Sequence, residues 1–368
     1  MISKNFKILL VILLLALVLR IIHLHDKAPG TDEVYSINNS ITILEKGLYA
    51  VYDFGNPLLF YVISGVILLL NSVLLLKLIM VLIGLLTIIV TYLLVSKLLD
   101  EKIALVSSFL LALNPMHVLL SQHIRVYILL MLIYLLSTLH LYKFIKNKSN
   151  KDIFILTFTY IVAIYLHYFS AIFILAHLII ISLHWKEKKL IKKYVIGLVI
   201  LAIITTPLAF YFLSQYDYMI NQGNLITIEK LSIKNIPYPI YKFSSMMDIS
   251  STIQKVLPLI VTAPLVFITF LLGSLKLYKT RKEESKFVFI SLLAPIIILA
   301  IIGFIFPVYS FRYLTYLLPL YIIPISYASK YRKLGLFLLL IIVILWLLIL
   351  FNYYSIVTVK GWPIDFAI

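Results

Sequence analysis

The sequence contains no cysteine, so neither a disulfide framework nor a thiolate metal site can be built from it. Charge is also scarce: 13% of the 368 residues are charged, against roughly 25% in a soluble domain. Carboxylates are scarcest, with 15 Asp and Glu beside 32 Lys and Arg. No Walker loop, GxGxxG, HExxH or GxSxG pattern occurs in a usable context, which disfavours nucleotide-driven chemistry and a metalloprotease. Internal repeats, low-complexity tracts, coiled-coil heptads and lipidation signals are missing as well. What remains is apolar: 63% of the residues are hydrophobic, and several runs reach the roughly 20 residues that cross a bilayer. A soluble core has no room for so many apolar helices. The composition implies an all-α integral membrane protein, a polytopic bundle in one domain over residues 1–368.

The formal net charge of +17 does not signal nucleic acid, because the basic residues sit in short clusters between apolar runs. The first run, Phe6 to Leu24, lacks a small-residue cleavage site and reads as a retained anchor. Spans are expected at 6–24, 74–97, 102–121, 125–145, 152–167, 168–185, 193–214, 255–277, 286–307, 312–330 and 333–352, about eleven in all. Alternate connections then carry Lys143, Lys146, Lys148 and Lys151, the lysines from Lys186 to Lys193, and those from Lys276 to Lys286. With Lys97, Lys102, Arg281, Lys330, Arg332, Lys333, Lys4 and Lys7 they hold 21 of the 32 basic residues, which places the N-terminus in the cytoplasm. No soluble C-terminal domain is expected after the last span.

Two regions on the opposite, extracytoplasmic side are long enough to matter, 25–72 and 215–254. In the first, Thr31 is placed to cap a helix that begins at Asp32-Glu33 and ends at Gly47. Val34, Ile37, Ile41, Leu44 and Leu48 form an apolar stripe with polar residues opposite, the pattern of a helix lying on the outer leaflet. The run from Pro57 to Leu70 is apolar but short, and reads as a second surface-lying or dipping segment.

The candidates for chemistry gather at these outer mouths. Asp32 and Glu33 are adjacent carboxylates at a helix start. Their bland reading is charge complementing a helix dipole; their functional one is a carboxylate whose pKa partial desolvation raises, a better general base. Arg125 lies in Ser121-Gln122-His123-Ile124-Arg125-Val126-Tyr127. On one continuous helix, Gln122 would share a face with Arg125, and His123 with Tyr127. An intramembrane Arg pairs with an anion, faces a cavity or forms a structural ion pair. Arg312 has the same outer placement, His167-Tyr168 sits where two spans meet, and Arg20 reads as a snorkelling side chain. Two guanidinium forks suit a phosphate, and a carboxylate opposite suits deprotonation of an alcohol or amide. No cofactor is demanded; a divalent metal held by His123 with Asp32 or Asp53 is the open alternative.

From the first span to about residue 185 the chain resembles the GT-C membrane glycosyltransferases, in particular the family 39-like branch of protein O-mannosyltransferases and aminoarabinose transferases. Thr31-Asp32-Glu33, Asn56-Pro57-Leu58-Leu59-Phe60-Tyr61, the Ser121–Tyr127 stretch and Leu166-His167-Tyr168-Phe169 carry the resemblance, with an echo in Arg312-Tyr313-Leu314 and Leu318-Pro319. The chain departs from the pattern at Asn56-Pro57-Leu58, where relatives often have His-Pro-Pro, and at His123, where they often have an acid. The resemblance implies a polyprenyl-phosphate sugar as donor and an acceptor protein, lipid or glycan, with no nucleic acid partner. It implies that Asp32, with Glu33, activates the acceptor, that Arg125 and Arg312 hold the donor phosphate, and that transfer inverts the anomeric centre. Gln122, His123, Tyr127, His167, Tyr168, Asp53 and Asn56 would line the substrate site. The alternatives are a transporter or flippase of a lipid-linked or anionic solute, and a non-catalytic scaffold.

Overall fold

The computed structural model describes residues 3–51, 57–70, 72–221, 231–235, 237–245, 261–306 and 309–360, and among them every regular element is helical. In chain order the helices are α1 (Lys4–Ile21), α2 (Thr31–Lys46), α3 (Leu59–Leu68), α4 (Val73–Leu98), α5 (Glu101–Leu113), α6 (Pro115–Gln122), α7 (Tyr127–Asn147) and α8 (Asn150–Leu166). There follow α9 (Ser170–Ser182), α10 (Lys188–Asn221), α11 (Tyr238–Ser245), α12 (Ala263–Thr280), α13 (Lys282–Ile305), α14 (Leu318–Tyr327) and α15 (Lys333–Lys360). Short polar residues set many of the starts: Ser72, Asp100 and Ser149 each accept a backbone N–H from the first turn of α4, α5 and α8.

Among the described residues six helices are long and apolar enough to cross a membrane: α4, α7, α10 over Lys188–Leu213, α12, α13, and α15 over Lys333–Ser355. The pair α5 and α6 makes a seventh if it counts as one span bent by 61°. The bend is encoded by Asn114-Pro115: the Asn114 carboxamide accepts the His117 N–H at 3.1 Å, and Pro115 opens the second helix where its missing N–H costs nothing. The other four segments expected to span are helical where expected, but three are short, with 17 residues in α8, 13 in α9 and 10 in α14, and α1 carries Lys4, Lys7 and Arg20 within 18 residues. The Arg312 stretch expected as an α-helical span begins as a 3-10 helix over Phe311–Leu317 and becomes α-helical at Leu318-Pro319.

Two local expectations need correction. The cap of α2 is Gly30 rather than Thr31, and Glu33 supplies the reciprocal half of a capping box by accepting the Gly30 N–H at 3.0 Å. Arg20 does not snorkel. It is fully buried, donating to Ala16 and Ala112 carbonyls at 2.8 and 3.1 Å and to Ser121 Oγ at 3.1 Å, with His117 Nδ1 2.5 Å away. Reaching the interface would forfeit that set, and each hydrogen bond to a charge is worth about 1.5–3 kcal/mol.

The amphipathic stripe of α2 points away from the bundle: Val34, Ile41, Leu44 and Leu48 are exposed, while Glu33, Ser36, Ser40 and Ile43 face inward. That is the orientation expected of a helix whose apolar side meets lipid. Helix α3 packs on α2 through Gly65, where a Cβ would come within 2.8 Å of the Ser40 carbonyl oxygen. The site described next therefore rests on a close two-helix layer.

Candidate active site

The α2 N-terminus carries two carboxylates side by side, and the structure turns them opposite ways. Asp32 points outward. Its side chain is 36% exposed, and its Oδ2 accepts from Arg312 Nη1 at 2.8 Å. Arg312 reaches it from the Phe311–Leu317 turn with a side chain 15% exposed. Arg125 arrives from beneath, 9% exposed, donating Nη1 to the Asp32 carbonyl at 3.1 Å and to Ser36 Oγ at 2.9 Å. Its guanidinium lies 5.8 Å from the Tyr127 ring, and Tyr61 also bears on its charge. Two guanidinium groups from distant parts of the chain thus meet at Asp32, Arg312 on its partly open carboxylate and Arg125 on its backbone carbonyl.

Glu33 turns inward and is 1% exposed. Its Oε2 takes the Gly30 N–H, and its Oε1 takes the Ile124 N–H at 2.9 Å. Lys27 Nζ lies 3.9 Å from Oε2 with its own side chain 1% exposed. Burial alone would raise the Glu33 pKa, but positive charge at His123 and Lys27, with the two backbone donors, outweighs it and holds the carboxyl at about 2. The expected upward shift is reversed here, and so is the expectation that both carboxylates present a base. A base must reach the proton it takes, and Glu33 has spent both oxygens on the backbone. Burial lowers Lys27 to about 8 against the opposing pull of Glu33.

The Ser121–Tyr127 stretch is not one helix. Helix α6 ends at Gln122, α7 begins at Tyr127, and His123 is extended, so the face-sharing pairs drawn from helical spacing do not form. The break is what frees the Ile124 N–H for Glu33. Gln122 is consumed by structure: its Nε2 donates to Arg20 and Ile22 carbonyls at 2.9 and 3.1 Å, and its Oε1 accepts from Tyr353 at 2.6 Å. His123 is buried beside Glu33. His167 is buried between α8 and α9, accepting the Phe169 N–H at 3.2 Å, with its ring 6.5 Å from Tyr127 and 4.9 Å from Tyr313. Tyr168 turns away from this group, its ring 5.1 Å from Phe212 on α10.

Asp32, Arg125, Arg312, Glu33, His123, Tyr127 and His167 therefore converge, Gln122 supports them from behind, and Asp53 and Asn56 lie outside the described residues. Among the described residues no three His, Asp or Glu side chains form a metal-ligand set. Sequence reasoning missed Lys27 and Lys77. Lys77 Nζ donates to the carbonyls of Leu24 and Lys27, clamping the segment that leads into α2. Its signal was available as a lone charge inside the apolar run 73–96.

The Asp32–Arg312 pair, with Arg125 on the Asp32 carbonyl, lies at one end of a multi-pass bundle of apolar helices whose fold is of the GT-C type. Residues 55–210 match the family described as dolichyl-phosphate-mannose-protein mannosyltransferase. Among solved structures the chain is similar to ArnT from Cupriavidus metallidurans in the apo state, with TM-score 0.62 and 14% identity over 90% of this chain and 60% of that one. The same protein bound to undecaprenyl phosphate gives 0.60 and 15%, over 90% and 61%. The oligosaccharyltransferase AglB from Archaeoglobus fulgidus, in complex with an inhibitory peptide and a dolichol-phosphate, gives 0.58 and 14%, over 97% and 56%. The chain thus spans about three fifths of the length of these proteins. No curated protein matches it in sequence.

Proposed function

We propose that the protein is a glycosyltransferase that moves a sugar from a polyprenyl-phosphate donor to a hydroxyl- or amide-bearing acceptor on the extracytoplasmic face, with inversion. The observation that carries this reading is the Asp32 carboxylate, partly open and paired with Arg312, with Arg125 held on the backbone carbonyl of the same residue. The binding of undecaprenyl phosphate by ArnT and of a dolichol-phosphate by AglB supports the donor class. The mannosyltransferase family match supports sugar transfer.

In this scheme Asp32 takes the proton of the acceptor as its oxygen or nitrogen attacks the anomeric carbon. The bond from that carbon to the phosphate oxygen breaks, and its electron pair leaves on the polyprenyl phosphate. Arg312 and Arg125 receive the growing phosphate charge, and fixed donors aimed at developing charge are a large part of enzymatic rate. Arg312 starts paired with Asp32, so the incoming phosphate exchanges one anion for another at that guanidinium and releases the carboxylate toward the acceptor. Glu33 acts as a positioning residue that fixes the Asp32 helix against the Arg125 loop. No step is routed through a metal.

Purified protein in liposomes, supplied with radiolabelled polyprenyl-phosphate sugars and an acceptor panel, tests the reading. Wild type should release label from the lipid, while Asp32→Asn and Arg125→Ala should not. A chelator arm tests metal dependence. Label that changes leaflet without leaving the lipid would replace the enzyme with a flippase.

A further inference from the structure

A cavity of about 740 Å³ opens at the end of the bundle opposite Asp32, one helix length along α7 from Arg125. Its walls are apolar, from Ile145, Ile180, Leu183, Phe287 and Ile290. Its rim is charged with both signs: Lys146 and Lys286 on one hand, Glu283 and Glu284 on the other. Lys286 is already paired with Glu283 at 2.8 Å, and Lys146 lies 5.6 Å from the Tyr142 ring. Glu284 is different. It is half-buried beside Tyr142 and makes no ion pair among the described residues.

An apolar-walled cavity at a helix-end boundary suits acyl chains below and a headgroup above. The charges narrow the headgroup. A purely anionic lipid would bring its phosphate toward two carboxylates, and a quaternary choline offers no N–H to Glu284. A headgroup with a phosphate and a primary ammonium places the phosphate at Lys146 and Lys286 and the ammonium at Glu284. We infer that this cavity is a binding site for an aminophospholipid of the phosphatidylethanolamine type, at the end of the bundle where the lysine clusters of the α7–α8, α9–α10 and α12–α13 connections lie. The inference does not depend on the reaction proposed for the outer end.

The test uses the full chain in detergent, exposed to vesicles of phosphatidylcholine doped with phosphatidylethanolamine or phosphatidylglycerol, with retained lipid read by native mass spectrometry. Wild type should retain phosphatidylethanolamine over the other two by about fivefold, the scale of a partly screened charge pair. Glu284→Gln should erase that preference, and Leu183→Trp, an exposed wall position, should displace the lipid by filling the cavity. Melting curves for both variants should match wild type, which separates loss of the lipid from loss of the fold. Soluble glycerophosphoethanolamine, lacking acyl chains, should not compete. Equal retention of the three lipids by wild type, an unchanged preference in Glu284→Gln, or displacement by the soluble headgroup would each overturn the proposal.

Discussion

The two ends of this bundle handle charge in opposite ways. Behind Asp32, the buried ionisable side chains are tied to backbone: Glu33 to two N–H groups, Arg125 to the Asp32 carbonyl, Lys77 to two carbonyls, Arg20 to two more. At the other end lysines are many and exposed, and their ion pairs join side chains at the surface, such as Lys148–Glu187 at 2.6 Å and Lys330–Asp100 at 2.9 Å, although Lys193 also reaches the Lys148 carbonyl. A charge bonded to backbone fixes where a segment runs, whereas an exposed pair is screened and specifies little beyond sidedness. The first end is therefore where charge encodes geometry, and substitutions at the two ends should separate widely in effect.

The largest separation should come from Asp32→Asn. Losing a positioned general base lowers turnover about 10²–10⁴-fold, and the liposome assay should show this with the melting curve unmoved, since Asp32 is partly exposed. A variant that still transfers sugar at the wild-type rate would remove Asp32 from the chemistry. Next comes Arg312→Gln, with a fall of about 10²-fold if the guanidinium stabilises developing phosphate charge. The drop should be mainly in kcat, because that charge grows toward the transition state.

Glu33→Gln should act on the fold first. It leaves Lys27 buried without its counter-charge, and breaking a buried pair costs about 3–5 kcal/mol. Thermal unfolding in detergent reads that loss, and turnover should fall with it as the Asp32 helix loosens from the Arg125 loop. The pH dependence gives a second readout. Because the folded pKa of Glu33 is depressed from 4.5 to about 2, its stabilisation is fully present above about 4.5 and is lost as pH falls toward about 2. In Glu33→Gln that part of the acid dependence should vanish.

Much of this was legible in the sequence, and what was not has a physical reason. Helices are local: their apolar runs, capping residues and lysine-rich connections lie in consecutive residues, so helices occur where hydropathy puts them, six of them long enough to cross a membrane among the described residues. Asp32, Arg125 and Arg312 were legible as scarce charges at the ends of apolar runs. The opposite fates of Asp32 and Glu33 were not, because adjacent residues on a helix point about 100° apart. Which of the two meets the bundle depends on what packs there. Nor was the break at His123 legible, since its driving contact, the Ile124 N–H on Glu33, joins residues 91 positions apart. Arg20 misled for the same reason: its partners on α5 and α6 lie 92 to 101 positions away.

The smallest effect should come from Lys148→Gln at the opposite end. Its Nζ sits 2.6 Å from Glu187 Oε2, a shorter ion pair than Lys27–Glu33 at 3.9 Å. Distance alone would rank it the stronger. Yet the Lys148 side chain is 54% exposed, so water and salt screen the attraction, and holding two flexible side chains together costs entropy that offsets the rest. Lys27 and Glu33 have no water to fall back on, and losing one strands the other. Lys148→Gln should therefore leave both the melting curve and transfer unchanged at physiological salt. A loss approaching that of Glu33→Gln would mean that exposed charge at this end does specify geometry, and the contrast between the ends would fail.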